Sequence, residues 1–329
     1  MEYAQNQTHI AAEQKYKMNN VKKCMFVCFV LVLISLIGCN QQGEWQKVEI
    51  YKGTNGLDVS VMKSAPPDEV YEDEPFKIVS KVSNKGAYQI ENGILTLGYE
   101  RAFIDLTSSR KSVSISLEGK SPSNVWDDEE IITFDLRSKY LDKNSEMHTT
   151  TLLLTSCYDY ETIATFSVCI DTNVFETRPK DTTCTVTDKT SSGQGAPVAV
   201  TRVEEDISGG DYITPHFTIY IQNRGRGYVM EYGNRDACTS KGIGKDNFNV
   251  VNLYDVELGE FSLRKGDLRC SPELIKLRDN EAKIRCSLER NTIKSTDPSY
   301  ITSLKVHLQY GYTRTDSIEM DILNDQSKG

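Results

Sequence analysis

The feature that most restricts this chain is the period of its apolar residues, which is close to two through most of its length. Ile78, Ser80 and Val82 alternate with Lys77, Val79 and Lys81. Ile94-Leu95-Thr96-Leu97-Gly98-Tyr99, Val113-Ser114-Ile115-Ser116-Leu117, Ile131 to Leu136, Thr151 to Thr155 and Thr165 to Ile170 follow. A period of two sends successive side chains to opposite faces of a strand, and the enrichment in Val, Ile, Thr and aromatic residues agrees with that reading. No window carries a sustained helical stripe. A second set of such runs opens near Ala196 to Val203 and continues through 217–221, 250–253, 260–263, 284–286 and 304–308 to 318–322. Short strands separated by Gly, Asn, Asp and Pro predict an all-β chain of two antiparallel sandwiches. The Ser-, Thr- and Gly-rich stretch between the sets places a first sandwich at 48–186, a linker at 187–195 and a second sandwich at 196–329.

The two sets echo one another. Ile78-x-Ser80-x-Val82-x-Asn84-x-Gly86 answers Phe217-x-Ile219-x-Ile221-x-Asn223-x-Gly225, and Leu152 to Tyr160 answers Leu304 to Tyr312, with Tyr158-x-Tyr160 matching Tyr310-x-Tyr312. Self-similarity of this kind marks a repeated structural unit. The first match resembles the strand and turn of immunoglobulin-like modules on prokaryotic cell surfaces, of the CARDB and S-layer-associated type. The second resembles the final hairpin of such a module. The resemblance implies tandem immunoglobulin-like sandwiches and carries no catalytic residues. Asn92-Gly93 is a separate hairpin signal.

Residues 1–17 are a polar extension, and Met18 is the more natural start. Lys22 and Lys23 then precede an apolar run that ends in Leu36-Ile37-Gly38-Cys39 before a polar tether over 40–47, the order of a secretory signal across 18–39. The run is shorter than the roughly 20 residues that cross a bilayer. Its last four residues resemble the lipobox of prokaryotic lipoproteins, which implies lipidation of Cys39 and a membrane held through that lipid at the extracytoplasmic face of a cell envelope. An uncleaved anchor helix and an ordinary secretory signal are the alternatives.

Beyond the signal stand six cysteines, Cys157, Cys169, Cys184, Cys238, Cys270 and Cys286, and an even set in an exported chain predicts disulfides. Closeness in sequence across turn-rich segments pairs Cys169 with Cys184 and Cys270 with Cys286, leaving Cys157 for Cys238. None shows the Cys-x-x-Cys spacing of a zinc site, so no metal and no cofactor are expected.

The chain carries a formal net charge of -9, and removing residues 1–39, with four lysines and two glutamates, leaves -11. So acidic a surface repels phosphate backbones, and no basic run interleaved with aromatics is present, which excludes nucleic acid as a partner. No Gly-x-Ser-x-Gly occurs, and His148, His216 and His307 read as structural or solvated residues. Two acidic runs, Asp68 to Glu74 and Asp127 to Glu130 beside Trp126, are the places where calcium or glycosidic acid–base chemistry could sit, although charge runs ordinarily form solvated loops and a lone tryptophan ordinarily lies in a core. The expectation is a non-catalytic surface lipoprotein acting as a structural, adhesive or protein-binding module. An exported glycan hydrolase is the alternative.

Overall fold

The computed structural model describes residues 50–142, 144–173, 183–235, 244–289 and 292–325. The segments 1–17, 18–39 and 40–47, and with them Cys39, lie outside the described residues. The first half contains β1 (Leu57–Val61), β2 (Glu69–Tyr71), β3 (Pro75–Asn84), β4 (Ile90–Gly98), β5 (Ile104–Leu106), β6 (Ser112–Leu117), β7 (Asp128–Ser138) and β8 (Met147–Ile170). The second contains β9 (Lys189–Thr190), β10 (Val198–Gly209), β11 (Tyr212–Asn223), β12 (Tyr228–Met230), β13 (Val250–Leu258), β14 (Phe261–Ser262), β15 (Leu268–Ser271), β16 (Leu274–Lys276), β17 (Glu281–Leu288), β18 (Ile293–Lys294) and β19 (Tyr300–Leu323).

Alternation in the sequence becomes the two faces of these strands. In β3, Phe76, Ile78, Ser80 and Val82 are buried while Lys77 is exposed, and in β11 Ile213, Phe217, Ile219 and Ile221 are buried in the same rhythm. Ser80 is tolerated inside because its hydroxyl donates to the Ile132 carbonyl at 3.2 Å.

Strands β1-β3-β7-β5 form a four-stranded sheet, and β10-β11-β17-β15 repeat that order in the second half, with β9 beside β10 and β18 on β11. A nine-stranded sheet, β14-β13-β19-β8-β4-β6 with β12, β16 and β2 at its margins, is shared by both halves. The fold is therefore the expected all-β pair of sandwiches, and the two have one sheet in common.

That sheet is organised by β8 and β19, each 24 residues long and paired antiparallel from Met147 against Leu323 to Ile170 against Tyr300. At about 3.4 Å per residue the ribbon runs for about 80 Å. From Thr150 to Ile170 every even-numbered residue of β8 is buried, and the even-numbered residues from Leu304 to Tyr312 of β19 join them on the same side. The smaller sheets pack on this one face.

Each strand serves its own sandwich with its first half, β8 against β4 and β19 against β13, and then continues into the other sandwich. The hairpin expected around Tyr158-x-Tyr160 and Tyr310-x-Tyr312 is thus corrected: each motif sits in the middle of an unbroken strand. Leu152 to Ile170 holds no Gly or Pro to turn the chain, and the sister strand supplies the hydrogen bonds of a hairpin partner.

Asn92-Gly93 is also corrected. It lies inside β4, where the pairing with β6 shifts register between Ile90 and Gly93. A Cβ at Gly93 would sit 3.0 Å from Ile90 Cγ2 and 3.1 Å from Ile115 Cβ, so the glycine answers close packing at a bulge and not a turn.

The stretch 187–195 is built into the protein. Lys189–Thr190 pairs with β10, the Gly195 amide donates to the Gly53 carbonyl at 2.9 Å, and the Ala87 amide donates to the Gly195 carbonyl at 2.8 Å. The buried Gln194 side chain donates to the Val200 carbonyl and accepts from its amide, both at 3.0 Å.

Disulfides join Cys169 to Cys184 and Cys270 to Cys286, as the spacing predicts. The second bridges directly opposed residues of β15 and β17. Cys157 is disulfide-bonded, and its expected partner, Cys238, lies outside the described residues. Such bridges belong to an oxidising, extracytoplasmic setting. Beside the first of them Glu205 on β10 is only 8% exposed. One of its carboxyl oxygens accepts the Cys169 amide at 3.2 Å and the other has no partner among the described residues, and burial pushes its pKa up to about 7.

Candidate functional site: a charged cleft on the axis of the repeat

The two motifs that echo in the sequence meet in the structure. Tyr158 lies opposite Tyr312 and Tyr160 opposite Tyr310, so a two-fold axis of the repeat passes through the pair Asp159 and Gly311. The four rings form a closed set, with centroids 5.5 Å apart for Tyr158 and Tyr160, 5.8 Å for Tyr158 and Tyr312, and 6.4 Å for the two contacts of Tyr310. Burial raises all four hydroxyls above the ordinary tyrosine value, Tyr312 to about 12, and each stays protonated and able to donate.

Each outer tyrosine latches one Asn-x-Gly turn. Tyr160 donates to Asn84 Oδ1 at 3.3 Å and accepts the Tyr88 amide at 3.2 Å; Tyr312 donates to Asn223 Oδ1 at 3.1 Å and accepts the Gly227 amide at 2.8 Å. Asn84 Oδ1 also accepts the Gly86 amide and Asn223 Oδ1 the Gly225 amide, at 3.1 and 3.2 Å, the local pattern of an Asx turn. Both motif glycines are required by the latch, because a Cβ at Gly86 would collide with Tyr160 Oη and one at Gly225 with Tyr312 Oη. The inner tyrosines hold β1 and β10: Tyr158 Oη accepts the Leu57 amide and Tyr310 Oη the Val198 amide, at 3.2 and 3.3 Å.

These contacts define the correspondence between the halves. Leu57 answers Val198, Asn84 answers Asn223, and Tyr158 and Tyr160 answer Tyr310 and Tyr312. On the side of the axis marked by Tyr158 and Tyr312 a cleft of about 430 Å³ opens, lined by Asp58, Lys85, Arg224, Arg226 and Arg314. Asp58 accepts from Lys85 Nζ at 2.7 Å and from Arg314 Nη1 at 3.3 Å, and Arg314 also donates to Asp316 at 2.6 and 3.0 Å. Burial opposes ionisation of Asp58, but Lys85 and Arg314 outweigh it and hold the carboxyl below its usual range. The guanidinium groups of Arg224 and Arg226 are exposed and make no hydrogen bond or ion pair among the described residues.

The residues singled out for other chemistry are engaged elsewhere. Asp127 pairs with Lys120 at 2.8 Å, Glu129 with Lys81 at 2.9 Å and Asp73 with Arg137 at 3.2 Å, while Glu72 accepts the Leu141 amide at 2.9 Å. Trp126 departs from the expected core position: it is 79% exposed in a segment between β6 and β7. His148 stacks on Phe103 and pairs with Glu100, His216 bonds Ser208, and His307 lies 2.7 Å from Glu161. The cleft residues were not picked out by sequence motifs, although a signal existed: the middle residue of both Asn-x-Gly motifs is a cation, Lys85 in one and Arg224 in the other.

No protein-family model matches this chain, and no curated protein matches it.

Proposed function

We propose that this chain is an exported surface lipoprotein, held at the extracytoplasmic face of a membrane through lipid on Cys39, that acts without catalysis as a structural or partner-binding module of the tandem immunoglobulin-like kind. The observation that carries the reading is the pairing of an export signal ending in Leu36-Ile37-Gly38-Cys39 with disulfides in the domains that follow it. A double sandwich with a shared 24-residue ribbon supports it, since such a scaffold presents end loops and clefts in fixed relation, the arrangement that binding modules use.

Intact-mass measurement on the chain extracted from the membrane fraction tests the anchor. The expected species begins at Cys39 and carries lipid, and Cys39→Ser moves the protein to the soluble extracytoplasmic fraction. A chain that starts before Cys39, or lacks lipid there, overturns the anchor while leaving the fold untouched.

A further inference from the structure

The repeat supplies an internal control for the cleft. Carried along the two pairs of sister strands, the correspondence sets Asp58 against Ala199, Arg226 against Ala87, Arg314 against Thr162 and Asp316 against Ala164. Only Lys85 and Arg224 are charged in both halves. The positions that merely hold the fold together, the tyrosines and the Asn-x-Gly turns, are the same on the two sides. The charged ones are different. On the opposite side of the axis Ala87 lines a cleft of similar size, about 410 Å³, with Tyr51, Tyr88 and Ile163, and none of the described residues that line it is charged. Thr162 there bonds the Val198 carbonyl at 2.6 Å and closes the structure without any ion. Packing therefore does not require charge at these positions, and on one side only the chain has placed Arg226 and Arg314, with the acids Asp58 and Asp316, where the other half has Ala87, Thr162, Ala199 and Ala164.

The cations are also in excess of their local partners. Lys85, Arg224, Arg226 and Arg314 face Asp58 in the cleft, with Asp316 behind Arg314, which leaves a net charge of +2 in a chain whose total is -9. Lys85 and Arg314 are fixed by their carboxylates, while Arg224 and Arg226 reach the cleft from a turn latched by Tyr312. A pre-positioned backbone carrying unpaired guanidinium groups is suited to bind oxyanions, because each guanidinium presents donors in a planar fork that matches two oxygens of one group.

We propose that this cleft is a binding site for a doubly charged tetrahedral oxyanion, a phosphate or sulfate either free or as the ester group of a larger ligand. Arg224 and Arg226 bind it directly, and Lys85 and Arg314, held by Asp58, supply the field that favours it. The charge of such a group balances the +2 of the cleft. The inference concerns the folded double sandwich and is independent of the anchor at Cys39.

The test uses the full mature chain with its disulfides intact. Thermal unfolding and titration calorimetry are carried out with inorganic phosphate, inorganic sulfate and sodium chloride at matched ionic strength, followed by methyl phosphate and methyl sulfate to separate the two ester classes. Saturable stabilisation and heat are expected with phosphate or sulfate and not with chloride. Arg224→Ala and Arg226→Ala, both at exposed side chains, each weaken binding by about tenfold, the loss of one charge-assisted contact. Ala87→Asp, on the uncharged side, leaves it unchanged. A response that follows ionic strength alone overturns the proposal, and so does binding that survives in the Arg224→Ala, Arg226→Ala double variant with an unchanged melting temperature in chloride.

Discussion

Glu205→Gln is the substitution whose effect on stability follows most directly from the structure. The carboxyl is 8% exposed, accepts one amide hydrogen from Cys169 and leaves its second oxygen without a partner among the described residues, and burial raises its pKa from 4.5 to about 7. An acid whose folded pKa lies above its unfolded one keeps its proton longer in the folded state. Below pH 4.5 both states are protonated and the group contributes no pH dependence. Between pH 4.5 and 7 the unfolded chain ionises first, so stability falls as pH rises, and above pH 7 the penalty is complete. At 1.36 kcal/mol per pH unit, the interval from 4.5 to about 7 corresponds to about 3 kcal/mol. Glutamine keeps the shape and the acceptor for Cys169 and never ionises. Denaturant unfolding at pH 4.5 and pH 8.5, with disulfides intact, should show wild type and variant equally stable in acid and the variant more stable by about 3 kcal/mol in base. A difference that is the same at both pH values, or a variant that is weaker at pH 8.5, is incompatible with a Glu205 carboxyl that burial keeps protonated up to about pH 7.

Other consequences are as direct. Tyr160→Phe and Tyr312→Phe each remove a hydroxyl that accepts one amide and donates to one asparagine, and each should cost about 1–3 kcal/mol in equilibrium unfolding. Combining Tyr160→Phe with Asn84→Ala should cost less than the sum of the two changes, since both break one latch; full additivity in the double-mutant cycle argues against it. Gly86→Ala should exceed Tyr160→Phe, because the new methyl displaces the tyrosine as well as breaking its bond, and a variant as stable as wild type counts against the close approach. Replacing both Cys270 and Cys286 by Ala opens a bridge between residues 16 apart and should lower stability by about 2–4 kcal/mol, read as a shift in the unfolding midpoint.

Where the side-chain period was regular, the strand was legible: Phe76 to Val82 and Phe217 to Ile221 bury the residues that the alternation points inward. Cys169 with Cys184 and Cys270 with Cys286 were legible for a different reason, that nearness in sequence made nearness in space the simplest closure. What the pattern could not disclose was pairing between distant strands. A period of two says which face a residue occupies and nothing about which strand lies beside it, so Leu152 to Ile170 read as two strands of a hairpin when they are one strand matched to another about 150 residues away. Asn92-Gly93 misled because the glycine that permits a turn also permits a bulge. Trp126 could not be placed from composition, because exposure of one ring depends on the loop that carries it. The charged cleft was hidden for the same reason as the ribbon. Asp58, Lys85, Arg224 and Arg314 are dispersed over the chain and converge only once β8 and β19 have aligned the two halves.

The ribbon also sets the order in which this protein can reach its native state. From Tyr160 to Ile170, β8 has no strand partner other than β19 among the described residues, and β2, at Glu69 to Tyr71, waits for Asp321 to Leu323. The first sandwich thus stays incomplete until the last described strand arrives, long after its own residues have emerged. Until then β8 carries a long row of unpaired main-chain groups along one edge, a template for joining the wrong chain. Pairings so remote in sequence form slowly, because the connecting loop must close before any contact rewards it. Folding of the two halves is for that reason a single late event, and a chain stopped short of Tyr300 should associate with its neighbours instead of standing as one finished sandwich.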